Sequence, residues 1–158
     1  MERLLVIENL MKDITDEIVV TSAGKISREV CSVKDRPLNF YVQGSLGATV
    51  GIGIGLALSK PNKKVVVIAG DGDILINLDN LVLLNKLQKE GKVKNLKLFI
   101  LDNNCYDSTG GQKTVSDAVK FRLLCDCKVI FCSNPTVGVS RIRISHEEIK
   151  NRFMEAIK

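Results

Sequence analysis

Apolar residues at positions 4, 5, 7, 10, 11 and 14 recur at helical spacing, so the chain opens on a helix. "EIVVTS" (17–22) is a short apolar run and predicts a strand. "SREVCSV" predicts a short helix stopped by "KDRP", and "NFYVQG" (39–44) a second strand. "LGATVGIGIGLALS" has the length of a helix but is full of glycine. Each glycine costs about 1 kcal/mol in a helix interior, so some close backbone approach must require them. "KKVVVIAG" is continuous rather than alternating, as in a parallel strand buried on both faces. Residues 74–90 predict a helix ended by Gly91, "NLKLFILD" a fourth strand and "NNCYDSTGGQ" a loop. "CKVIFC" and "SRIRI" predict two further strands. "SHEEIKNRFMEAIK" closes as a helix, with Ser145 and Glu148 spaced as a capping box.

Strands alternating with helices predict an α/β fold: a doubly wound, mostly parallel sheet with right-handed crossovers and ligands at the carboxyl ends of strands. No repeat, linker or low-complexity segment divides the 158 residues, so one domain over 1–158 is expected.

Composition narrows the partners. The net charge of +5 would suit nucleic acid, but the basic residues are scattered, Trp is absent and aromatics are 4%. No stacking platform is visible, and the basic excess suits anionic small molecules instead. Residues 47–58 are too short and glycine-interrupted for a bilayer, and the N-terminus reads as an amphipathic helix rather than a leader. Five cysteines without a disulfide-scaffold pattern point to a reducing cytoplasm. Cys125, Cys127 and Cys132 lack the second pair that a zinc site needs. His146, the only histidine, falls in a first helical turn and is expected at the surface.

The candidate chemistry lies at two strand ends. Gly70-Asp71-Gly72-Asp73 follows "VVVIA", and Asp102-Asn103-Asn104 follows "LKLFIL", with 29 residues between Gly72 and Asp102. In a parallel sheet both tips can face one crevice. A carboxylate, amides and turn carbonyls are hard oxygen donors of low charge, suited to Mg²⁺ held jointly with a phosphate. Gly70 and Gly72 would let the backbone approach that phosphate, and the N-terminus of the 74–90 helix would favour it. "GIGIGLAL" imitates a dinucleotide fingerprint, with Asp71 placed 20 residues after Gly51. However, Leu56 stands where the third glycine belongs, and the glycines lie inside the helix.

Gly70-Asp71-Gly72 followed by Asp102-Asn103 resembles the thiamine diphosphate motif, and "GSLG" (44–47) supports the resemblance. "DRPLNFYVQGSLG", "LDNNCYDSTGGQKT" and "RISHEEIKNRFMEAI" are together similar to the sulfopyruvate and phosphonopyruvate decarboxylase family. The resemblance covers about residues 1–117 and 139–158. It implies a thiamine diphosphate-binding fold of the diphosphate type and decarboxylation of an anionic α-keto acid, with the cofactor as electron sink. "Y-x-S-T-G" leans towards the sulfopyruvate enzymes, which make sulfoacetaldehyde for coenzyme M synthesis. "D-S-x-G-G-Q-x-T" leans towards the phosphonopyruvate enzymes. Chain length favours the first, whose subunits are split.

What the resemblance implies for the site can be stated residue by residue. Gly44 would offer its carbonyl to the cofactor's amino group, beside Ser45, and Leu46 would hold the cofactor bent. Asp71 and Asn103 would bind Mg²⁺ through side-chain oxygens, and Cys105 through its carbonyl. Aligned on Tyr106, Asn103 takes the place of the motif's usual last Asn. Gly70, Gly72, Asp73 and Tyr106 would border the diphosphate. Ser108, Thr109, Gly110 and Gly111 would line the substrate side, with Lys25 and Arg28 as candidates for the acid's anionic group. The glutamate that activates the cofactor would come from a separate pyrimidine-binding domain on a partner α chain, giving a hetero-oligomer of several α–β pairs. Two features depart from the family. Asp73 occupies a position usually small or hydroxylic, where a carboxylate repels the diphosphate unless it turns away or pairs. Residues 118–138 are shortened, which predicts a reduced sheet edge. These departures keep open a non-catalytic subunit that holds the cofactor or only the partner chain.

Overall fold

A computed structural model describes all 158 residues. Five strands, β1 (Ile18–Thr21), β2 (Asn39–Tyr41), β3 (Val65–Gly70), β4 (Leu96–Asp102) and β7 (Lys128–Phe131), form one sheet in the order β2-β1-β3-β4-β7. Every pairing in it is parallel. The fold is therefore the expected doubly wound α/β sheet. β1 runs out to β2 on one side, whereas β3, β4 and β7 build on the other. The chain thus reverses its winding between β1 and β3, the place where open α/β sheets leave a crevice.

Helices cover both faces. α1 (Arg3–Lys12) and α2 (Lys25–Lys34) pack on one, over Ile7, Met11, Val30 and Ile68. α3 (Thr49–Ser59) and α5 (Asp79–Lys89) pack on the other, over Ile54, Val67, Leu81 and Ile100. This two-sided burial is why "VVVIA" is apolar without alternation. The glycine-rich α3 has one physical reason. A Cβ on Gly53 would stand 2.3 Å from Val67 Cγ2, so the helix rides directly on β3 there. Gly55 faces open space.

α7 (His146–Ala156) closes the β2 side. Ser145 caps it, accepting from the Glu148 amide at 3.1 Å. Phe153 packs on Phe40 with ring centroids 5.1 Å apart. Arg152 forks onto Asp35 at 2.8 and 2.6 Å and lies over the Tyr41 ring. At the other edge β7 is terminal, and Phe131 is 75% exposed, in keeping with the shortened 118–138 region.

The structure corrects several boundaries. The helix expected over 74–90 is two: α4 (Asp71–Ile76), which starts directly on the end of β3, and α5. The break falls where Asn77 leaves helical geometry to donate to the Gly47 carbonyl at 3.1 Å. The loop 103–112 holds a hairpin, β5 (Cys105–Tyr106) with β6 (Gln112–Lys113). The β2 strand ends at Tyr41 rather than residue 44, and α3 starts at Thr49 rather than 46. A short α6 (Phe121–Leu124) precedes β7. "SRIRI" is not a strand: it pairs with neither edge of the sheet, β2 or β7. No helix is long and apolar enough to cross a membrane.

Gly53→Ala should destabilise the fold by about 1–3 kcal/mol through overpacking. Gly55→Ala should be neutral or stabilising by up to about 1 kcal/mol; urea unfolding of the two variants checks the contrast. Burial alone would raise the Asp35 pKa, but the Arg152 fork and the Tyr41 hydroxyl outweigh it and hold it below the ordinary value. A carboxylate held low stabilises above its ordinary pKa, and that contribution disappears as pH falls through the folded value. Between pH 6 and pH 3 the melting temperature should therefore fall less in Arg152→Gln than in the native chain.

Candidate functional site

The crevice forms where β1 and β3 part. Ser22, just beyond β1, accepts the Gly70 amide on its Oγ at 3.0 Å and so ties the two strand ends. Asp71 is 1% exposed, and no lysine or arginine pairs with it. Its Oδ2 accepts from Thr114 Oγ1 at 2.6 Å. Thr114 also touches Ser116, whose hydroxyl donates to Asp102 at 2.9 Å. Burial pushes the Asp71 pKa up, and the neighbouring charge of Asp102 adds to this, while the Thr114 hydroxyl and backbone amides draw it back. A buried carboxylate without a positive partner is costly unless a cation joins it.

The expected oxygen donors converge on that carboxylate. The Asn103 side-chain amide stands 2.9 Å from Asp71 Oδ1 and 3.0 Å from the Cys105 carbonyl oxygen. With its nitrogen turned to them it donates to both, and its oxygen lies 3.1 Å from the Arg3 guanidinium; with its oxygen turned to them, as a cation would require, three oxygens face one another. Oxygens bound at neighbouring positions of octahedral Mg²⁺ are about 2.9 Å apart, so this donor set fits that ion. No three His, Cys, Asp or Glu side chains gather to hold a metal by themselves, which includes Cys125, Cys127 and Cys132. Any cation here would rely on one carboxylate together with amide, carbonyl and ligand oxygens.

Gly72 is fixed by packing. A Cβ there would lie 2.7 Å from the Tyr106 ring, so the glycine accommodates the aromatic side chain rather than only a phosphate. Gly70 is filled against Ile26, 3.2 Å from its Cβ position. The helix expected to start at residue 74 starts instead at Asp71, so Gly70–Asp73 form the strand-to-α4 junction.

Asp73 turns to the neighbouring loop. Its Oδ1 accepts the Gly47 amide at 2.6 Å, while Oδ2 is buried without a hydrogen-bond partner. Asn77 and Asn80 hold the Gly47 carbonyl. Gly44 and Gly47 carry positive φ, 71° and 93°, and turn the loop so that Leu46 projects, 40% exposed. Burial pushes the Asp73 pKa up, and the Gly47 amide pulls against it.

Two adjoining cavities result. The first is bordered by Gly70, Asp71, Asp73, Asn103, Cys105 and Tyr106. The second is bordered by Arg28, Gln43, Gly44 and Arg141. Leu46, Ser108 and Thr109 border both. Lys25 faces the first cavity, committed to Asp107 at 2.7 Å. Ser45 and Gly110 border neither. His146 is exposed, as expected, with its ring nitrogen 3.1 Å from Gln43.

Four residues escape the sequence reading. Arg3 is buried under the first cavity, bound to Glu29 at 2.6 Å and Asp107 at 2.9 Å. Burial opposes its charge, but the two carboxylates outweigh that and raise its pKa. Asn134 accepts from both Arg3 and Asn103. Thr114 was visible only as the last residue of "D-S-x-G-G-Q-x-T". Nothing in the local sequence marks Arg3, Glu29 or Asn134, since each acts at long range.

Comparison with known proteins places this geometry. Residues 22–156 match the thiamine pyrophosphate enzyme, C-terminal TPP binding domain family. The chain is 44% identical over 119 residues to the sulfopyruvate decarboxylase subunit beta of Methanothermobacter thermautotrophicus, covering 75% of this chain and 62% of that one. It is 38% identical to the subunit of the same name from Methanococcus maripaludis, over 99% of this chain and 97% of that one. That alignment spans 185 positions, so at least 27 have no counterpart among the 158 residues here. The phosphonopyruvate decarboxylase of Streptomyces viridochromogenes is 40% identical over 74% of this chain and 28% of its own. The crystal structure of benzoylformate decarboxylase from Polynucleobacter necessarius shares the fold, with TM-score 0.54 and 19% identity over 99% of this chain and 31% of that one. The chain belongs to the thiamine pyrophosphate enzyme family, as a C-terminal TPP-binding domain of the sulfopyruvate decarboxylase beta-subunit type.

Proposed function

We propose that the chain is the β subunit of a thiamine diphosphate- and Mg²⁺-dependent carboxy-lyase that converts 3-sulfopyruvate to sulfoacetaldehyde and CO₂, the reaction that serves coenzyme M synthesis. The observation that carries this reading is the buried Asp71, without a cationic partner, against which the Asn103 side-chain amide and the Cys105 carbonyl are gathered. Asp71, Asn103 and Cys105 would hold Mg²⁺ against the cofactor's diphosphate. Thiamine diphosphate supplies the electron sink for loss of CO₂ from a keto acid.

The chain's own residues bind and orient. Gly70, Asp71, Gly72 and Tyr106 shape the diphosphate end. Leu46, standing between the two cavities, would keep the cofactor bent, and Gly44 would offer its carbonyl on the far side. Asp73 bonds the loop that carries both, so its carboxylate serves as an anchor there. Ser108 and Thr109 border the side where the keto acid would enter.

A partner α chain would complete the site with the pyrimidine-binding domain and its glutamate. Leu46 and its neighbour Ile76 are 40% and 54% exposed beside the cleft, an apolar face suited to that chain. Several α–β pairs would assemble in the cytoplasm, where five free thiols are stable.

Three outcomes test the reading. The complex isolated through a tag on this chain should release CO₂ from sulfopyruvate only with thiamine diphosphate and Mg²⁺ present. Preference for phosphonopyruvate would reassign the substrate, and no release from any keto acid would leave a non-catalytic subunit. Asp71→Ala should abolish Mg²⁺-dependent cofactor binding, measured by calorimetry, while the partner chain still co-purifies. Unchanged binding would remove Asp71 from the metal site. Asp73→Asn keeps an acceptor for the Gly47 amide and should retain cofactor affinity, whereas Asp73→Ala should lower it about tenfold, the effect of one lost charge-assisted hydrogen bond.

A further inference from the structure

The second cavity carries an electrostatic signature of its own. Thirteen residues line it, and none is acidic. Two are arginines that arrive from distant parts of the chain: Arg28 from α2 and Arg141 from the segment before α7. Neither guanidinium has an ion-pair or hydrogen-bond acceptor, and the only other arginine so placed is Arg143, which does not line the cavity. By contrast, Arg3, Arg36, Arg122 and Arg152 are each engaged with carboxylates or carbonyls. His146, Gln43, Ser108 and Thr109 add polar groups to the same walls. Unpaired guanidinium groups in a concave site with no acid nearby are a receptor for an oxyanion, because a planar fork matches two oxygens at once.

The position supplies the rest of the argument. The cavity shares Leu46, Ser108 and Thr109 with the cofactor-side cavity, so a molecule lying across this ridge reaches both. Lys25, the other cation near this region, is already committed to Asp107.

We propose that this cavity is the specificity pocket for the distal oxyanion of the substrate, with Arg28 and Arg141 as its specificity-determining residues. The inference rests on the decarboxylase reading for its substrate, but not for the anion site itself. The pocket takes a sulfonate or phosphonate group set one carbon beyond the keto carbon. Both groups present three oxygens to the two guanidinium forks. A keto acid with a plain methyl group there leaves both arginines unpaired.

The test uses the intact complex with thiamine diphosphate and Mg²⁺. Calorimetry with sulfoacetate, phosphonoacetate and acetate reads the anion site without turnover. Sulfoacetate should bind and acetate should not. Arg28→Gln and Arg141→Gln should each weaken sulfoacetate about 10- to 100-fold, the range for a charge-assisted pair. Arg143→Gln, outside the cavity, serves as the control and should bind sulfoacetate as the native complex does. Tighter binding of phosphonoacetate would keep the pocket and assign it to a phosphonate. In turnover, the two cavity variants should raise KM for sulfopyruvate with a smaller change in kcat, as for lost ground-state binding. Native-like sulfoacetate affinity in both variants, or an equal loss in Arg143→Gln, would overturn the proposal. Absence of decarboxylation with sulfoacetate binding intact would instead overturn the decarboxylase reading and leave the pocket standing.

Discussion

Arg3 brings a full positive charge to the floor of the cleft at 3% exposure, and its side chain binds three separate parts of the chain. Its fork takes Glu29 of α2 through Nε and one terminal nitrogen; the latter also reaches Asp107 beyond β5. The other terminal nitrogen reaches Asn134, which in turn holds Asn103. Lys25 adds a second cation on Asp107. The cluster therefore holds two positive and two negative groups, which is what makes it tolerable out of water. Removing one member of such a buried set typically costs about 3–5 kcal/mol, because the others are left unpaired. The backbone at Arg3 follows the same course, its amide bonding to the Ser133 carbonyl. The hairpin that carries Cys105 and Tyr106 is thus located by a residue at the opposite end of the sequence.

Sheet topology supplies the remaining constraint. A reversal of winding between β1 and β3 opens the crevice, and parallel strands bring Gly70 and Asp102 to the same end of the sheet. Short side chains then complete what the backbone begins. Ser22 ties β1 to β3, Thr114 and Ser116 connect Asp71 to Asp102, and Asp73 fastens the Leu46 loop.

What the sequence revealed follows from the range of each interaction. Continuous apolar runs marked β1 and β3, because two-sided burial leaves that signature locally, and β4 was legible despite the exposed Lys97. That Asp71, Asn103 and Cys105 lie together was legible because strand-end motifs keep polar groups and turn in one short stretch. Arg3 was not, since the helical period of α1 offers Leu5 as the inward residue, yet Leu5 is 49% exposed and Arg3 is buried. Only Glu29 and Asp107 explain that exchange. The break at Asn77 was equally hidden, because it answers a carbonyl thirty residues upstream. "SRIRI" alternates like a strand, but its arginines serve a cavity or solvent rather than a ladder. The glycines of α3 looked alike on paper, and only Gly53 meets a neighbour too close for a methyl group.

Leu46 is a wall common to two chambers. Any change in its bulk moves the partition between them, enlarging one chamber as it crowds the other. On the proposed function, adaptation to a longer or shorter acid at this position would therefore be coupled to the grip on the cofactor. The uncoupled route lies through residues that border a single chamber, such as Gln43 and Arg141. Substrate range would then have its freest room to drift along that outer rim, while the shared wall would answer two demands at once.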